Sequence, residues 1–297
     1  MPNLKEIRTR IASVRSTRKI TSAMKMVAAS KLRRVQNYIL YLRDYSLFLK
    51  KILDEVMEHV PLSGQSVFTK DRAPGGGVLI ISMGSNKGLC GTYNAFLIKH
   101  TLKEIYSAQE QGQRVKLMVI GKKPERFFAK KDIEMISYDH NTIDNVSYES
   151  AAQFARDVMD LFLKENLSRV VMVYNRFKNA VVHQLTSEQV LPVPKEEMYL
   201  TEEHKLDILY DEPVILEPST EEVVDYMTRQ YIAYNFYRLL LDASASEHGS
   251  RMTAMHKATD NADEMIRALT LSYHKARQAS VTKELMDIVG GGQRSGP

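Results

Sequence analysis

The most sustained pattern along the chain is an apolar stripe that returns every three or four residues at both ends. Leu4, Ile7, Ile11 and Val14 step by 3, 4 and 3, and Leu32, Val35, Ile39, Leu42, Leu49, Leu53, Val56 and Val60 hold the same phase. Such spacing puts the side chains on one side of a helix. Towards the end, Leu241, Ala245, His248, Met252, Met255, Thr259, Ala262, Ile266, Leu269, Tyr273, Ala276 and Ser280 alternate steps of 4 and 3 without a slip, and nine of these twelve are apolar. That run reads as a heptad seam.

Helix breakers confirm the two arms. Neither glycine nor proline occurs from Asn3 to Val60, and from Ser219 to Val289 there is no proline and only Gly249. At ~1.5 Å per residue the first arm makes a helix on the order of 85 Å long, too long for an ordinary globular helix. The second arm opens with Pro218-Ser219-Thr220-Glu221-Glu222, where Ser219 and Glu222 have capping-box spacing, and Gly290-Gly291-Gly292 suits a helix stop. Two striped arms at opposite ends cover each other only if the chain between them returns. The expectation is an antiparallel coiled coil of residues 1–62 and 218–297. Its Ala-, Ser- and Thr-rich end buries little area and calls for outside support.

Between the arms the period changes. Val78–Met83, Val115–Ile120 and Arg169–Tyr174 read as strands, and Tyr93–Gln111, Lys123–Lys130 and Ser147–Lys164 as helices. That alternation predicts a Rossmann-like α/β domain over residues 75–217 with a largely parallel sheet. Ala180–Leu185 reads as a further strand, and one more is possible near Leu206–Tyr210. The fold class is therefore α/β, with a long antiparallel coiled coil added to a central domain.

Composition narrows the function classes. The chain has 297 residues, 44% hydrophobic and 26% charged, with one cysteine, Cys90, and eight scattered histidines. No apolar stretch approaches the ~20 residues that cross a bilayer, so a membrane role would be peripheral. One cysteine allows no intrachain disulfide, no CxxC pair and no cysteine-based zinc cluster, which suits a reducing compartment. There is no HExxH, no GxSxG and no His/Asp arrangement for acid-base work. No catalytic residue, metal ligand or cofactor is expected.

Charge adds one feature. The net charge is +5, but residues 1–34 carry ten Lys or Arg against Glu6 alone, which makes that segment +9 and the remainder −4. A block of this kind implies nucleic acid, anionic lipid or an acidic protein surface, or else a solvated helix face. It could pass for a mitochondrial transit peptide, but its helical period runs into the next fifty residues without a cleavage-like break.

Three local patterns invite chemistry. In Val78-Leu-Ile-Ile-Ser-Met-Gly-Ser-Asn-Lys-Gly-Leu-Cys-Gly91 the glycines give GxxxGxxG, which is neither a P-loop nor a dinucleotide fingerprint. It reads as a tight strand-to-helix turn. Cys90 has no nameable general base and reads as a packing residue. Tyr226, Tyr231, Tyr234, Phe236 and Tyr237 could stack bases, but their spacing equally suits a helix packing on the α/β domain, and packing is the reading adopted.

Both ends together resemble a known family. Lys19-Ile-Thr-Ser-Ala-Met-Lys-Met-Val-Ala-Ala-Ser-Lys-Leu-Arg33 is similar to the N-terminal signature of ATP synthase gamma subunits, and Gly88-Leu-Cys-Gly91 to their central turn. Ala245-Ser-Glu-His-Gly-Ser-Arg-Met-Thr-Ala-Met-His-Lys-Ala-Thr-Asp-Asn-Ala262, with Lys275-Ala-Arg-Gln-Ala-Ser-Val-Thr-Lys-Glu-Leu-Met-Asp-Ile-Val289, resembles their C-terminal signature.

The resemblance implies a non-catalytic rotor shaft that couples proton flow to ATP synthesis and regulates ATPase activity. The implied partners are three alpha and three beta subunits, an epsilon subunit and the membrane rotor c-ring. The implied place is the cytoplasmic face of a bacterial inner membrane, peripheral to it, with no nucleic acid. By the same resemblance, Met24 and Lys25 meet the beta-subunit levers, and Arg277, Gln278 and Thr282 touch catch loops of the catalytic subunits. The chain departs from the pattern at Ser82-Met-Gly-Ser-Asn-Lys-Gly88, where many relatives carry a Thr-Asp-Arg or Ser-Asp-Arg turn. The paired-cysteine insert of photosynthetic relatives is absent, so no thiol control is expected. Two rival classes stay open at this point: a basic-helix nucleic-acid-binding protein, and a nucleotide-dependent α/β enzyme using the Gly84–Gly91 turn.

Overall fold

The computed structural model describes residues 4–58, 66–70, 72, 75–138, 141–179, 182–194 and 217–292. Helix α1 spans Leu4–Glu58. Five strands and four helices follow: β1 (Val78–Met83), α2 (Tyr93–Glu110), β2 (Val115–Ile120), α3 (Lys122–Phe128), β3 (Met135–Ser137), α4 (Asn141–Asp144), α5 (Tyr148–Lys164), β4 (Arg169–Phe177) and β5 (His183–Leu191). Helix α6 closes the described chain over Thr220–Gly292. The chain forms two compact units, Met1–Ala29 with Arg251–Pro297, and Ser30–Ser250.

In the larger unit the strands lie in the order β3-β2-β1-β4-β5, parallel except for β5, which runs antiparallel to β4. Every residue of β1 and β2 is buried, the mark of a sheet covered on both faces. One cover is α2 and α3: Leu97, Ile105 and Phe128 pack with Val78, Ile80, Leu117 and Val119. The other is α5 with part of α6: Phe154, Val158 and Phe162 join Ile232, Phe236 and Leu240 over Leu79, Ile81 and Met118. This division follows from right-handed crossovers, since β1–α2–β2–α3–β3 steps one way along the sheet and α5 returns.

Helix ends obey local chemistry. Ser147 caps α5 by accepting from the Ser150 amide, and the Ser150 hydroxyl answers by accepting from the Ser147 amide. The Glu222 amide donates to Ser219 Oγ at 3.3 Å, as the capping-box spacing predicts. The glycines at 290–292, expected as a stop, are still helical.

The sheet differs from expectation at its edges. The strand expected at Ala180–Leu185 begins at His183 and runs on to Leu191. Its Gln184, Thr186, Glu188 and Gln189 are polar, so apolar alternation does not mark it. The three-residue β3 and four-residue α4 are too short to show a period. The possible strand near Leu206–Tyr210 lies outside the described residues.

The tyrosine-rich stretch of α6 packs, with one exception. Phe236 meets Phe154 edge-on at 5.1 Å, and Tyr148 contacts Tyr234 at 4.7 Å and Tyr237 at 6.1 Å. Burial pushes the hydroxyls of Tyr148 and Tyr237 above their ordinary 10.0. Tyr226 is exposed.

Candidate subunit-contact surface

The crevice at the carboxyl ends of β1 and β4, where chain direction along the sheet reverses, is the usual ligand position in open α/β sheets. Beside it, the turns that follow β1 and β2 are packed by the protein itself. A Cβ on Gly84 would stand 2.6 Å from Pro124 Cγ, and one on Gly121, at φ +104°, 2.4 Å from the Gly84 carbonyl oxygen. Asn94 ties the turn together: its Oδ1 accepts from the Ser85 amide at 3.0 Å, and its Nδ2 donates to Ser85 Oγ and to Cys90 Sγ. Cys90 is buried among Ser85, Asn94 and the Lys87 carbonyl, as a packing residue is. Among the described residues no cluster of His, Cys, Asp or Glu could hold a metal ion, and no helix is long and apolar enough to cross a membrane.

The feature left for function is the smaller unit, a pair of antiparallel helix segments. Arg8 donates to the Tyr273 hydroxyl at 3.1 Å, Arg18 meets Asp263 at 2.5 Å, and Thr21 Oγ1 lies 2.9 Å from Thr259 Oγ1. As one number rises the other falls, which sets the register. On α6 the predicted seam is the inward side: from Met255 to Ser280 its eight positions are all buried or half-buried. On α1 the steps of 3 and 4 run unbroken from Leu4 through Ile7, Ile11, Val14, Arg18, Thr21, Lys25 and Ala28. Three of these are polar, so an apolar-only search loses the stripe between Val14 and Ala28. A buried polar pair within such a seam fixes register at some cost in stability.

The five residues expected at subunit contacts fall into two groups. Met24 and Lys25 are half-buried, Lys25 in the seam and Met24 next to it, four residues or fewer past Thr21. Arg277, Gln278 and Thr282 are exposed. Gln278 lies nineteen residues from Thr259, so at ~1.5 Å rise the groups stand roughly 35 Å apart along the pair. They lie at two places along the pair and not at one.

Each group has apolar company that the sequence reading missed. Ile20, Met26 and Val27 are exposed around the first, and Val281, Leu285 and Met286 around the second. Gln278, Thr282 and Met286 follow each other at i, i+4 and share one face. The available signal was apolar residues out of phase with the heptad, which cannot be meant for the partner helix.

The charge of the pair is unequal. Residues 1–29 hold seven Lys or Arg against one acid, and residues 251–297 seven against five, so the unit is +8 overall and +6 of it belongs to the α1 side.

The sequence profile of the family described as ATP synthase matches residues 3–293. The chain is 40% identical over 297 residues to the ATP synthase gamma chain of Christiangramia forsetii, covering 99% of both, and 38% identical over 296 residues to that of Cytophaga hutchinsonii, again covering 99% of both. It is similar to a chain of the central stalk/c-ring structure of Tetrahymena thermophila mitochondrial ATP synthase, with TM-score 0.56, 25% identity and coverage of 80% of this chain and 99% of that one. A chain of the Euglena gracilis mitochondrial OSCP/F1/c-ring structure shares the fold with TM-score 0.62 at 18% identity, over 99% and 97% of the two chains.

Proposed function

The chain belongs to the ATP synthase gamma-chain family, and on that premise we propose that it is the rotor shaft of a proton-translocating ATP synthase. It is a non-catalytic subunit that couples proton flow through the membrane sector to ATP synthesis in the catalytic head, and it regulates the head's ATPase activity. One observation carries the reading: the terminal helices pair through a long seam while charged and apolar residues face outward, so the molecule's chemistry lies on its surface.

The paired helices, residues 1–62 and 218–297, are the shaft, and residues 75–217 the domain that meets the membrane rotor. Three alpha and three beta subunits surround the pair, with an epsilon subunit and the c-ring at the other end. The assembly places the chain peripherally at the cytoplasmic face of a bacterial inner membrane. Met24 and Lys25 face the beta-subunit levers, and Arg277, Gln278 and Thr282 the catch loops.

Mechanism follows from asymmetry. A catalytic site facing the α1 side meets a +6 surface, whereas one facing α6 meets a nearly balanced surface, each with exposed apolar residues of its own. Rotation therefore presents three different environments to three equivalent sites at once. Each contact favours one of a site's open and closed states, a population shift of tenfold for every ~1.4 kcal/mol of differential contact. No group on the shaft needs to react. The nucleic-acid reading of the same charge draws nothing from the family.

The decisive experiment is to express the tagged chain with the other head subunits. Co-purification of a five-subunit head with ATPase activity, and ATP-driven rotation of a bead fixed to the domain of residues 75–217, are the expected results. A head that assembles and works at full rate without the chain would overturn the assignment.

A further inference from the structure

Within the larger unit, α6 lies on the sheet through its apolar face, and beside that face stands a group of buried charges that the shaft mechanism leaves unused. Glu188 of β5 is 7% exposed. It accepts from the Tyr174 hydroxyl of β4 at 2.6 Å and pairs with the Arg238 guanidinium of α6, with Arg176 3.6 Å away. Burial, together with the neighbouring Glu188 carboxylate, pushes the Tyr174 hydroxyl far above its ordinary 10.0, so it stays a donor. Arg238 also donates to Asn235 Oδ1, from Nε at 3.0 Å and from Nη2 at 2.7 Å, and Asp242 stands 3.9 Å from its Nη1. Taking such charges out of water is costly, and a well-packed apolar group of similar volume is often as stable or more so. What the ion pair with its shared hydrogen bonds adds is direction.

Direction matters here because the ties of α6 fall on both sides of its buried face. Counted from Phe236 at about 100° per residue, Ser246 lies about 80° to one side, with Asn235, Arg238 and Asp242 beyond it, and Gln230 about 120° to the other. Ser246 Oγ donates to the Asn175 carbonyl of β4 at 2.7 Å, and Gln230 Oε1 accepts from the Tyr148 hydroxyl of α5 at 2.9 Å. Apolar packing is non-directional and resists the roll of a helix weakly, whereas a hydrogen bond weakens steeply once it is bent or stretched. We infer that these two rows of bonds form a rotational lock. Glu188–Arg238 and Asn175–Ser246 hold α6 against roll in one sense, Tyr148–Gln230 in the other, and Glu188 and Arg238 are positioning residues through which turning of the sheet domain reaches the helix. The inference deepens the shaft reading and rests on it.

The test uses the assembled head with a bead fixed to the domain of residues 75–217. Assembly and ATP-driven rotation of the unaltered head report on the shaft reading separately. The bead's angular variance is recorded during the pauses at low ATP, and ATPase activity is recorded on the same heads without a bead. Arg238→Met with Glu188→Gln removes both partners of the ion pair together, and Tyr148→Phe removes the other side without touching a charge. Two ties acting in parallel share the resistance to roll, so losing one about halves it. With the rest of the shaft in series, the variance is expected to rise about 1.5-fold or more for either change, while unloaded ATPase activity stays as it was. Arg238→Lys, which keeps the charge without the fork, is expected to fall in between. Leu240→Val thins the apolar packing of the same helix and is expected to lower the melting temperature without widening the angle. Unchanged variance in either lock variant overturns the inference, and so does an equal widening in Leu240→Val, which would make the hold a matter of packing alone. A fall in unloaded ATPase activity in step with the variance overturns it too, since the cluster would then shape the head contacts. Should the double variant not assemble, Tyr148→Phe decides by the same measure.

Discussion

Replacing Leu285 by Ser separates a contact surface from a structural one. Leu285 is 58% exposed and lies off the helix seam, next to Val281 and Met286 at 46% and 70%. Full burial of a leucine is worth about 1.5–3 kcal/mol, so covering the part still in water contributes about 1–1.5 kcal/mol when a partner docks. The same part contributes nothing to the fold of the free chain. Leu285→Ser is therefore expected to change thermal stability by less than about 0.5 kcal/mol while weakening association with an alpha/beta ring about tenfold. Assembly is read by titrating the chain into the ring and following ATPase activity, and stability by circular-dichroism melting of the chain alone. Gln278→Ala and Thr282→Ala belong to the same row and should lower maximal ATPase activity, again without lowering the melting temperature. A stability loss as large as the assembly loss, or no assembly loss at all, would refute the contact assignment.

Three further outcomes test the packing. Thr21→Val and Thr259→Val should each cost about 0.5–1 kcal/mol and the double substitution about nothing. Each surviving hydroxyl keeps a backbone acceptor, the Arg18 or the Met255 carbonyl, and additive costs in a double-mutant cycle would show that the two do not interact. Lys116 bonds Glu134 and Glu165 at 2.9 Å each, which raises its pKa above 10.5 and, with Arg114, holds the Glu134 carboxyl below 4.5. The carboxylate's contribution is present above pH ~4.5 and lost as pH falls through its lowered pKa, while the ammonium's is complete below ~10.5 and lost as pH rises through its raised one. Lys116→Met should flatten both limbs of melting temperature against pH, and unchanged limbs would sink this account. Gly121→Ala puts a methyl group 2.4 Å from the Gly84 oxygen at a positive φ, and the expected loss is about 3 kcal/mol or more, read as a fall in melting temperature or in soluble yield.

What the sequence disclosed follows from how many residues report each feature. The α6 seam spreads over a dozen positions and β1 over six consecutive apolar ones, so each survives local exceptions. The seam of α1 breaks for an apolar search at Arg18, Thr21 and Lys25, and the groups that the first two meet, Asp263 and Thr259, lie more than two hundred residues away. Polar side chains at seam positions become legible only when the partner helix is in view. β5 lies further along the chain than its apolar pattern suggests for a related reason. Its Glu188 is buried because it accepts from Tyr174 at 2.6 Å and pairs with Arg238 of α6, so a residue that reads as solvent-facing belongs to the interior.

The proposed contact surfaces are the least legible, and the reason is physical. Core positions announce themselves by period because one chain supplies both sides of the interface. A surface meant for another molecule has half its pattern elsewhere. Met24, Lys25, Arg277, Gln278 and Thr282 came only from resemblance. Structure supplied what periodicity lacked: the apolar residues that the helix pair itself leaves uncovered, Ile20, Met26 and Val27 near the first group and Val281, Leu285 and Met286 near the second. A lone helix would also show apolar residues off its seam, and there they would carry no information. Once the pair is closed and its inward positions are accounted for, the same residues must either remain in water or meet a partner, and a pair with one strongly basic side and one nearly balanced side meets different partners differently at every angle.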